Sequence, residues 1–416
     1  MTDACNIKFE SWDLPSDALT ALPVMFRTYA RKEGDDKPRE TVRQVKQRVL
    51  NGLFDLGNFT EEEKIKVKQF LLNNELFSSG RFMWCGGTEF SKKPENFYSL
   101  YNCSNITVET WKDIAHNFNF LMQGNGAGAK LEYSNVSKLP AVKSLISLTL
   151  EGEYGDIPKG QTNTTVKVSD NQVLITVGDS RLGWCDANEA LLDLASTEVE
   201  GNKWFVTIIV SNVRGKGELI KGFGGVTNPT GLKPLFNRVV EITNGAIGRK
   251  LKPLEVSFLL NESAKCTVAG NVRRSARIDQ FSQDDEESGS AKMNLWIKDE
   301  EGNWKVDPKR DALRMANFTR VWHKKPTLDE IKQALMSQFQ SGEGAIQFAP
   351  EAIARANADL LNTPNKKKEF IDLYCENPKL AQQKLLKLAF DAGVFLGKDE
   401  LDHRMNRYGL NPCGSR

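Results

Sequence analysis

The sequence predicts an α/β fold, and three observations predict it. Strand-like and helical runs alternate through the body of the chain, as packed α/β layers require. Of the 416 residues 40% are hydrophobic and 26% charged, enough to bury a large core. No internal repeat or low-complexity linker interrupts the alternation.

The elements follow in order. Residues 39–57 read as a helix, with Val42, Val45, Val49 and Leu53 at near-helical spacing and Gly57 as the stop. Thr60 and Glu63 have capping-box spacing ahead of Ile65, Phe70 and Leu71, which predicts a second helix. Residues 1–78 are therefore read as a helical lead-in, and 79–416 as the α/β body. Within that body 173–177 and 204–210 are strand-like, while 187–195, 234–243, 253–266, 327–340 and 378–392 are helical. The runs Asp284-Asp285-Glu286-Glu287 and Lys366-Lys367-Lys368 are assigned to solvated loops without a functional role.

Charge and cysteine usage narrow the class. Lys and Arg total 56 against 54 for Asp and Glu, so the net charge of +2 gives no reason to expect a nucleic-acid or membrane-surface partner. The start Met1-Thr2-Asp3-Ala4-Cys5 lacks a basic stretch followed by an apolar one, and no apolar run has membrane-spanning length, which predicts a cytoplasmic protein. Seven cysteines, an odd number, are scattered without a CxxC pair or zinc-ligand spacing. Cys5, Cys85, Cys185, Cys266 and Cys375 read as packed thiols, Cys85 having the added interest of a Gly86-Gly87 neighbour. His116, His323 and His403 are too far apart to suggest a metal site by spacing and read as structural.

Four segments carry chemistry. The first runs Ser79-Gly80-Arg81-Phe82-Met83-Trp84-Cys85-Gly86-Gly87-Thr88-Glu89 and, after a gap, Leu100-Tyr101-Asn102-Cys103. The second, Gly124-Asn125-Gly126-Ala127-Gly128-Ala129-Lys130, follows a helical stretch beginning near Trp111. It is no Walker loop, because Leu131 follows the Lys, and no dinucleotide fingerprint, because it closes a helix instead of opening one. The third, Val268-Ala269-Gly270-Asn271-Val272-Arg273-Arg274-Ser275-Ala276, pairs a flexible Gly with two guanidiniums suited to phosphate or base acceptors. The fourth is Asn411-Pro412-Cys413-Gly414, in which Pro fixes the backbone beside a thiol.

Together these segments, with Asp179-Ser180-Arg181-Leu182-Gly183-Trp184 and Gly222-Phe223-Gly224-Gly225 between them, resemble the monomer-type class II ribonucleotide reductases over an interval from Ser79 to Gly414. The resemblance implies a ten-stranded α/β barrel of the reductase and radical-enzyme type, incomplete in this chain, with adenosylcobalamin as the radical source. It implies that Cys413, at the tip of a finger loop, becomes the thiyl radical, that Cys103 is one of two reducing thiols, and that Asn411 hydrogen-bonds the ribose or reacting groups. Asn102, Asn125 and Gly126 would meet substrate, the glycine-rich turn letting backbone approach the ribose. Gly270, Asn271, Val272, Arg273 and Arg274 would form the specificity loop between a deoxynucleotide effector and the substrate base. A thioredoxin-like reductant would reload the cysteines.

One departure stands beside the match. The family follows Asn-Pro-Cys-Gly with a Glu that serves as general base, and this chain reads Ser415-Arg416, where a Ser cannot take up the proton near neutral pH. The expectation is a split enzyme, of a kind that would suit a phage or mobile genome, in which a complementing carboxy-terminal reductase chain supplies the Glu, the second reducing cysteine and the remaining strands. Two alternatives stay open: a fragment of a class I reductase large subunit, and a non-catalytic fragment that binds nucleotide and regulates a reductase.

Overall fold

The computed structural model describes residues 20–32, 38–157, 160–218, 227–267, 276–293 and 295–410. The chain divides into two compact units, 1–102 and 103–416.

The first unit is helical among its described residues. Thr41 caps the helix Val42–Leu56 in a capping box with Gln44, and Val42, Val45, Val49 and Leu50 form its buried stripe. Gly57 ends it in an extended conformation, φ −132°, so this stop does not use a glycine's access to positive φ. Thr60 and Glu63 make the predicted capping box, opening the helix Glu61–Leu72. The motif-bearing stretch after Ser79 is also helical, a short helix Gly80–Cys85 followed by a 3-10 turn Pro94–Leu100.

The second unit holds eleven strands among its described residues: β1 (Cys103–Thr107), β2 (Gly126–Lys130), β3 (Leu145–Glu151), β4 (Thr165–Ser169), β5 (Gln172–Thr176), β6 (Lys203–Ile209), β7 (Arg277–Ser282), β8 (Trp296–Lys298), β9 (Trp304–Val306), β10 (Ala316–Trp322) and β11 (Ala345–Phe348). Five of them form one wholly parallel sheet in the order β1-β2-β7-β10-β11, half the number expected of the full barrel. Between β2 and β7 an inserted layer carries a second sheet, β3-β6-β5-β4, and β8 and β9 form a hairpin. The predicted strands at 173–177 and 204–210 are β5 and β6. The predicted helices appear as Arg181–Ser196, Leu232–Asn244, Pro253–Cys266, Leu328–Ser341 and Pro378–Asp391.

The parallel sheet is covered on both faces, as such sheets require. Helices Trp111–Met122 and Pro253–Cys266 share one core with the inserted layer, built on Ile114, Phe118, Leu191, Phe236, Leu260 and Phe281. A second core joins Val321 to helices Ala349–Ala356, Pro364–Glu376, Pro378–Asp391 and Lys398–Asn406 through Ile353, Phe370, Leu385 and Tyr408. The two charge runs are not simply loops: Thr363 caps a helix whose first turn holds the three lysines, and Asp285 caps the short helix Glu286–Ser290. Cap chemistry outweighs the like charges there. By contrast the helix Leu328–Ser341 buries only Ala334, while Leu328, Leu335, Met336 and Phe339 are exposed, Phe339 by 87%. Among the described residues no helix is long and apolar enough to cross a membrane.

Behind the sheet lies a buried polar network. Arg277 and Asp279 on β7, both wholly buried, form an ion pair. Arg277 donates through Nε to Asn261 Oδ1 at 3.1 Å and through Nη1 to Asn117 Oδ1. The second Asp279 oxygen accepts from Ser257 Oγ at 2.7 Å and Asn261 Nδ2 at 2.8 Å. One pair thus fixes β7 against both flanking helices.

Candidate active site

Side-chain alternation along the parallel strands sorts residues onto two faces. Because Arg277, Asp279 and Phe281 point to the helices, Ile278, Gln280 and Ser282 point the other way, and register carries this inner face across the sheet. One row reads Asn105, Gly128, Ile278, Asn317; the next reads Thr107, Lys130, Gln280, Thr319. The interior of a closed (β/α)8 barrel is packed with branched apolar side chains, whereas this face is polar. Three of its buried polar atoms, Thr107 Oγ1, Thr319 Oγ1 and Gln347 Oε1, have no hydrogen-bond partner.

Onto this face returns the end of the described chain. The Leu410 N–H donates to Gln280 Oε1 at 2.7 Å, Gln280 Nε2 donates to the Leu410 carbonyl at 3.3 Å, and the amides of Gln280 and Asn105 meet at 2.8 Å. A side-chain amide that pairs with both backbone groups of one residue acts as a strand neighbour would. Gly128 and Gly409 make the approach possible: a Cβ on Gly128 would collide with the Leu410 carbonyl, and one on Gly409 with the Asn105 amide. Residues 407–410 therefore lie against β1, β2 and β7, immediately before Asn411.

An ionic cluster built on the buried Lys130–Glu132 pair holds the same segment from the carboxyl ends of β2 and β10. Glu132 accepts from Tyr408 OH at 2.8 Å and meets Lys130 Nζ at 3.1 Å and His323 Nε2 at 2.6 Å. Lys130 Nζ also donates to the Asn406 carbonyl at 2.9 Å and sits 3.8 Å from the centroid of the Tyr408 ring. His323 Nδ1 lies 3.2 Å from Tyr374 OH, so the network assigns the proton facing Glu132 to Nε2. Burial alone would raise the Glu132 pKa, but hydrogen bonding to His323 and the charges of Lys130 and His323 outweigh it and hold the carboxyl at about 2, against an ordinary 4.5. The stabilisation from ionised Glu132 is therefore complete above 4.5 and lost as pH falls toward 2. Burial pulls Lys130 below the ordinary ammonium value despite Glu132, and burial with the Glu132 charge pushes Tyr374 up to about 12 and Tyr408 strongly upward.

The sequence-derived residues fall into three groups. Cys103 opens β1 on the inner face and is the register partner of Gly126, which opens β2; Asn125, buried, precedes Gly126. The stretch after Gly124 is a strand and not a turn: only Gly124, at φ +72°, makes the turn, and every residue from Gly126 to Lys130 is buried in the sheet. Gly and Ala are poor strand formers, and pairing with β1 and β7 overrides that preference. Asn102 directly precedes β1. Asn411, Cys413 and the loop residues Gly270, Asn271, Val272, Arg273 and Arg274 lie outside the described residues, as does the stretch 222–225.

Cys103 is disulfide-bonded, whereas Cys85, Cys185, Cys266 and Cys375 are free thiols. Burial raises the pKa of Cys85, of Cys185 and, to about 12, of Cys266, which leaves them poor thiolates. Asn105, Gln280, Glu132, His323 and Tyr408 were not identified as site residues from sequence. The one signal was Lys130 and Glu132, charged at the inward positions where a strand of small residues ends. Asp179 and Arg181 serve the architecture: Asp179 pairs with Arg214 at 2.9 Å, and Arg181 Nε donates to Asn119 Oδ1 at 2.6 Å.

A parallel sheet with a polar inner face thus carries a long insertion after its second strand and a backbone segment that returns across it. The insertion is the specific mark, for residues 153–245 match the insertion domain of B12-dependent ribonucleotide reductase. The adenosylcobalamin-dependent ribonucleoside-triphosphate reductase of Lactobacillus leichmannii is 28% identical over 309 residues, covering 64% of this chain and 42% of that protein. The enzyme of the same name from Lacticaseibacillus paracasei is 29% identical over 309 residues, covering 63% and 41%. A crystal structure of a B12-dependent (class II) ribonucleotide reductase superposes with a TM-score of 0.57 at 21% identity, over 72% of this chain and 45% of that one, and shares its fold. The chain is similar to the B12-dependent, class II ribonucleotide reductases, and it spans about two fifths of the length of the curated relatives it matches.

Proposed function

We propose that this chain takes part in the reduction of ribonucleotides to deoxyribonucleotides by thiyl-radical chemistry, with adenosylcobalamin, as the names of its relatives indicate. The observation that carries the reading is the placement of residues 407–410 on the polar inner face, against Asn105, Gly128 and Gln280, immediately before Asn411-Pro412-Cys413-Gly414. Cys103, two residues from Asn105 on the same face of β1, supports it as a reducing thiol. In this reading Cys413 abstracts the 3′ hydrogen of the ribose, the 2′ hydroxyl leaves as water, and Cys103 with a second thiol supplies two electrons and ends as a disulfide. Asn411 orients the ribose, and Asn102, Asn125 and Gly126 line its approach. Residues 270–274 read the effector, and a thioredoxin-like protein restores the thiols.

Adenosylcobalamin, when bound, supplies the radical that oxidises Cys413. The described inner-face residues do not themselves fit a corrin, since the bare Cα of Gly128 is already filled by the Leu410 carbonyl and Gln280 is spent on the same residue. No described residue is therefore assigned to the cofactor.

A complementing carboxy-terminal reductase chain is part of the proposal. The parallel sheet has two unpaired edges among the described residues, β1 and β11, and the helix that leads into β11 in sequence carries an apolar stripe of Leu328, Leu335 and Phe339 that is exposed among the described residues. An unpaired edge and an exposed stripe of this kind suit a partner that adds a strand and a helix. Phe339→Asp is expected to leave the melting temperature of the chain unchanged and to weaken association with that partner at least about tenfold, since a charge replaces a buried aromatic anchor. Titration calorimetry with the co-purified chain checks it, and equal affinity would remove this helix from the interface.

The direct test is deoxynucleotide formation from ribonucleoside triphosphate by this chain with the complementing chain, adenosylcobalamin and a dithiol. Cys413→Ala is expected to abolish it and Cys103→Ser to stop it after at most one turnover. Activity that survives Cys413→Ala would remove the radical assignment.

A further inference from the structure

We propose that Glu132, with Lys130, His323 and Tyr408, is a latch that positions the segment entering the radical-bearing motif. The groups reach it from four separate elements: Lys130 and Glu132 at the exit of β2, His323 just past β10, Tyr374 on the helix Pro364–Glu376, and Asn406 and Tyr408 in the returning segment. The side chains of Lys130 and Glu132 are only 5% and 4% exposed, so the pair has left water and must be satisfied from within. What satisfies it is the returning segment: Asn406 gives a carbonyl to Lys130, Tyr408 gives its hydroxyl to Glu132 and its ring face to Lys130. If the segment left, a buried carboxylate and a buried ammonium would each lose a partner, so the cluster favours one position of residues 406–408 strongly. The Gln280 clamp then sets Leu410, two residues farther on, at the sheet.

Hydrogen bonds to ionised groups are about twice as strong as neutral ones, and one buried ion pair with several of them can over-determine a backbone position. The strand β2 thereby fixes both ends of a short stretch, with Lys130 and Glu132 at residues 406–408 and Gly128 at residue 410. These are positioning residues: none is placed on substrate. The consequence for catalysis rests on the reductase reading, but the latch itself does not.

The test uses the full chain and three variants: Tyr408→Phe, Glu132→Gln, and the double variant Lys130→Met with Glu132→Gln, which removes both buried charges and protects against simple misfolding. Hydrogen exchange at the Leu410 amide and trypsin cleavage after Arg407 report on the segment, with the amides of Ile278 and Gln280 as an internal reference for the sheet. Exchange at Leu410 and cleavage after Arg407 are expected to rise about 10- to 100-fold in each variant while the β7 amides stay unchanged, the loss of one charge-assisted hydrogen bond setting that scale. Unchanged exchange at Leu410, or an equal rise throughout β7, overturns the latch, since the latter would make Glu132 a general stabiliser. With the complementing chain present, Tyr408→Phe is expected to lower kcat at unchanged KM. If the exchange result holds and the unaltered chain forms no deoxynucleotide, the latch stands and the reductase reading falls.

Discussion

On the proposed reductase reading, Gly128→Ala is expected to lower deoxynucleotide formation about 100-fold while the chain still folds. The added methyl would point from the inner face of β2 into the Leu410 carbonyl, and that carbonyl is held by Gln280, whose amide also meets Asn105. β2 cannot yield, because it lies between β1 and β7 and is buried along its whole length. Overpacking of this kind costs about 1–3 kcal/mol, which a domain of this size can absorb. The segment moves instead, and a misplacement of about 1 Å at a reacting group costs about 100-fold in rate. The measurement is turnover with the complementing chain, accompanied by hydrogen exchange at Leu410. A Gly128→Ala variant within about twofold of the parent rate would show that the approach of residue 410 to β2 does not govern the chemistry.

Asp279→Ala is expected to destabilise the second unit by about 3–5 kcal/mol, because it leaves the wholly buried Arg277 guanidinium without its counter-charge. Ser257 and Asn261 lose an acceptor in the same change, and neither has water to turn to. Denaturant unfolding gives the number. The control is the double replacement Arg277→Met with Asp279→Leu, which removes both charges and should recover most of the loss if packing volume is kept. A single variant within about 1 kcal/mol of the parent would mean that the pair is not desolvated as its burial indicates.

The general architecture was legible where the chain obeys one rule at a time. Thr60 and Glu63 announce a helix start by hydrogen-bonding chemistry that needs no tertiary context, and the structure contains that helix. β5 and β6 show the strand pattern because one face of their sheet is buried and the other is open. β2 was not legible. Its run of glycines and alanines carries no strand preference, and its course is decided by β1, β7 and a backbone segment from nearly three hundred residues downstream. Charge runs misled for a related reason, since the caps Thr363 and Asp285 determine the local helix and the charges only decorate it.

The site shows the same division. Cys103 and Gly126 could be found because they belong to contiguous motifs, and the sheet brings them together as register partners. Glu132, His323 and Tyr408 have no motif, for their relation exists only once β2, β10 and the returning segment are assembled. A lone histidine on sequence is correctly given a structural reading. His323 has a structural setting, and that setting is the buried carboxylate beside the motif.

The placement of β2 next to β7 also bears on how the chain reaches this state. Residues 131–276 intervene between two adjacent parallel strands, so their pairing must close a long loop before any contact rewards it. The inserted sheet, made of nearer neighbours in sequence, can form first and shorten that loop. The returning segment, which needs β1, β2, β7 and β10 already in place, should then be the last part to dock, so that refolding followed at Leu410 lags behind refolding followed in the insertion.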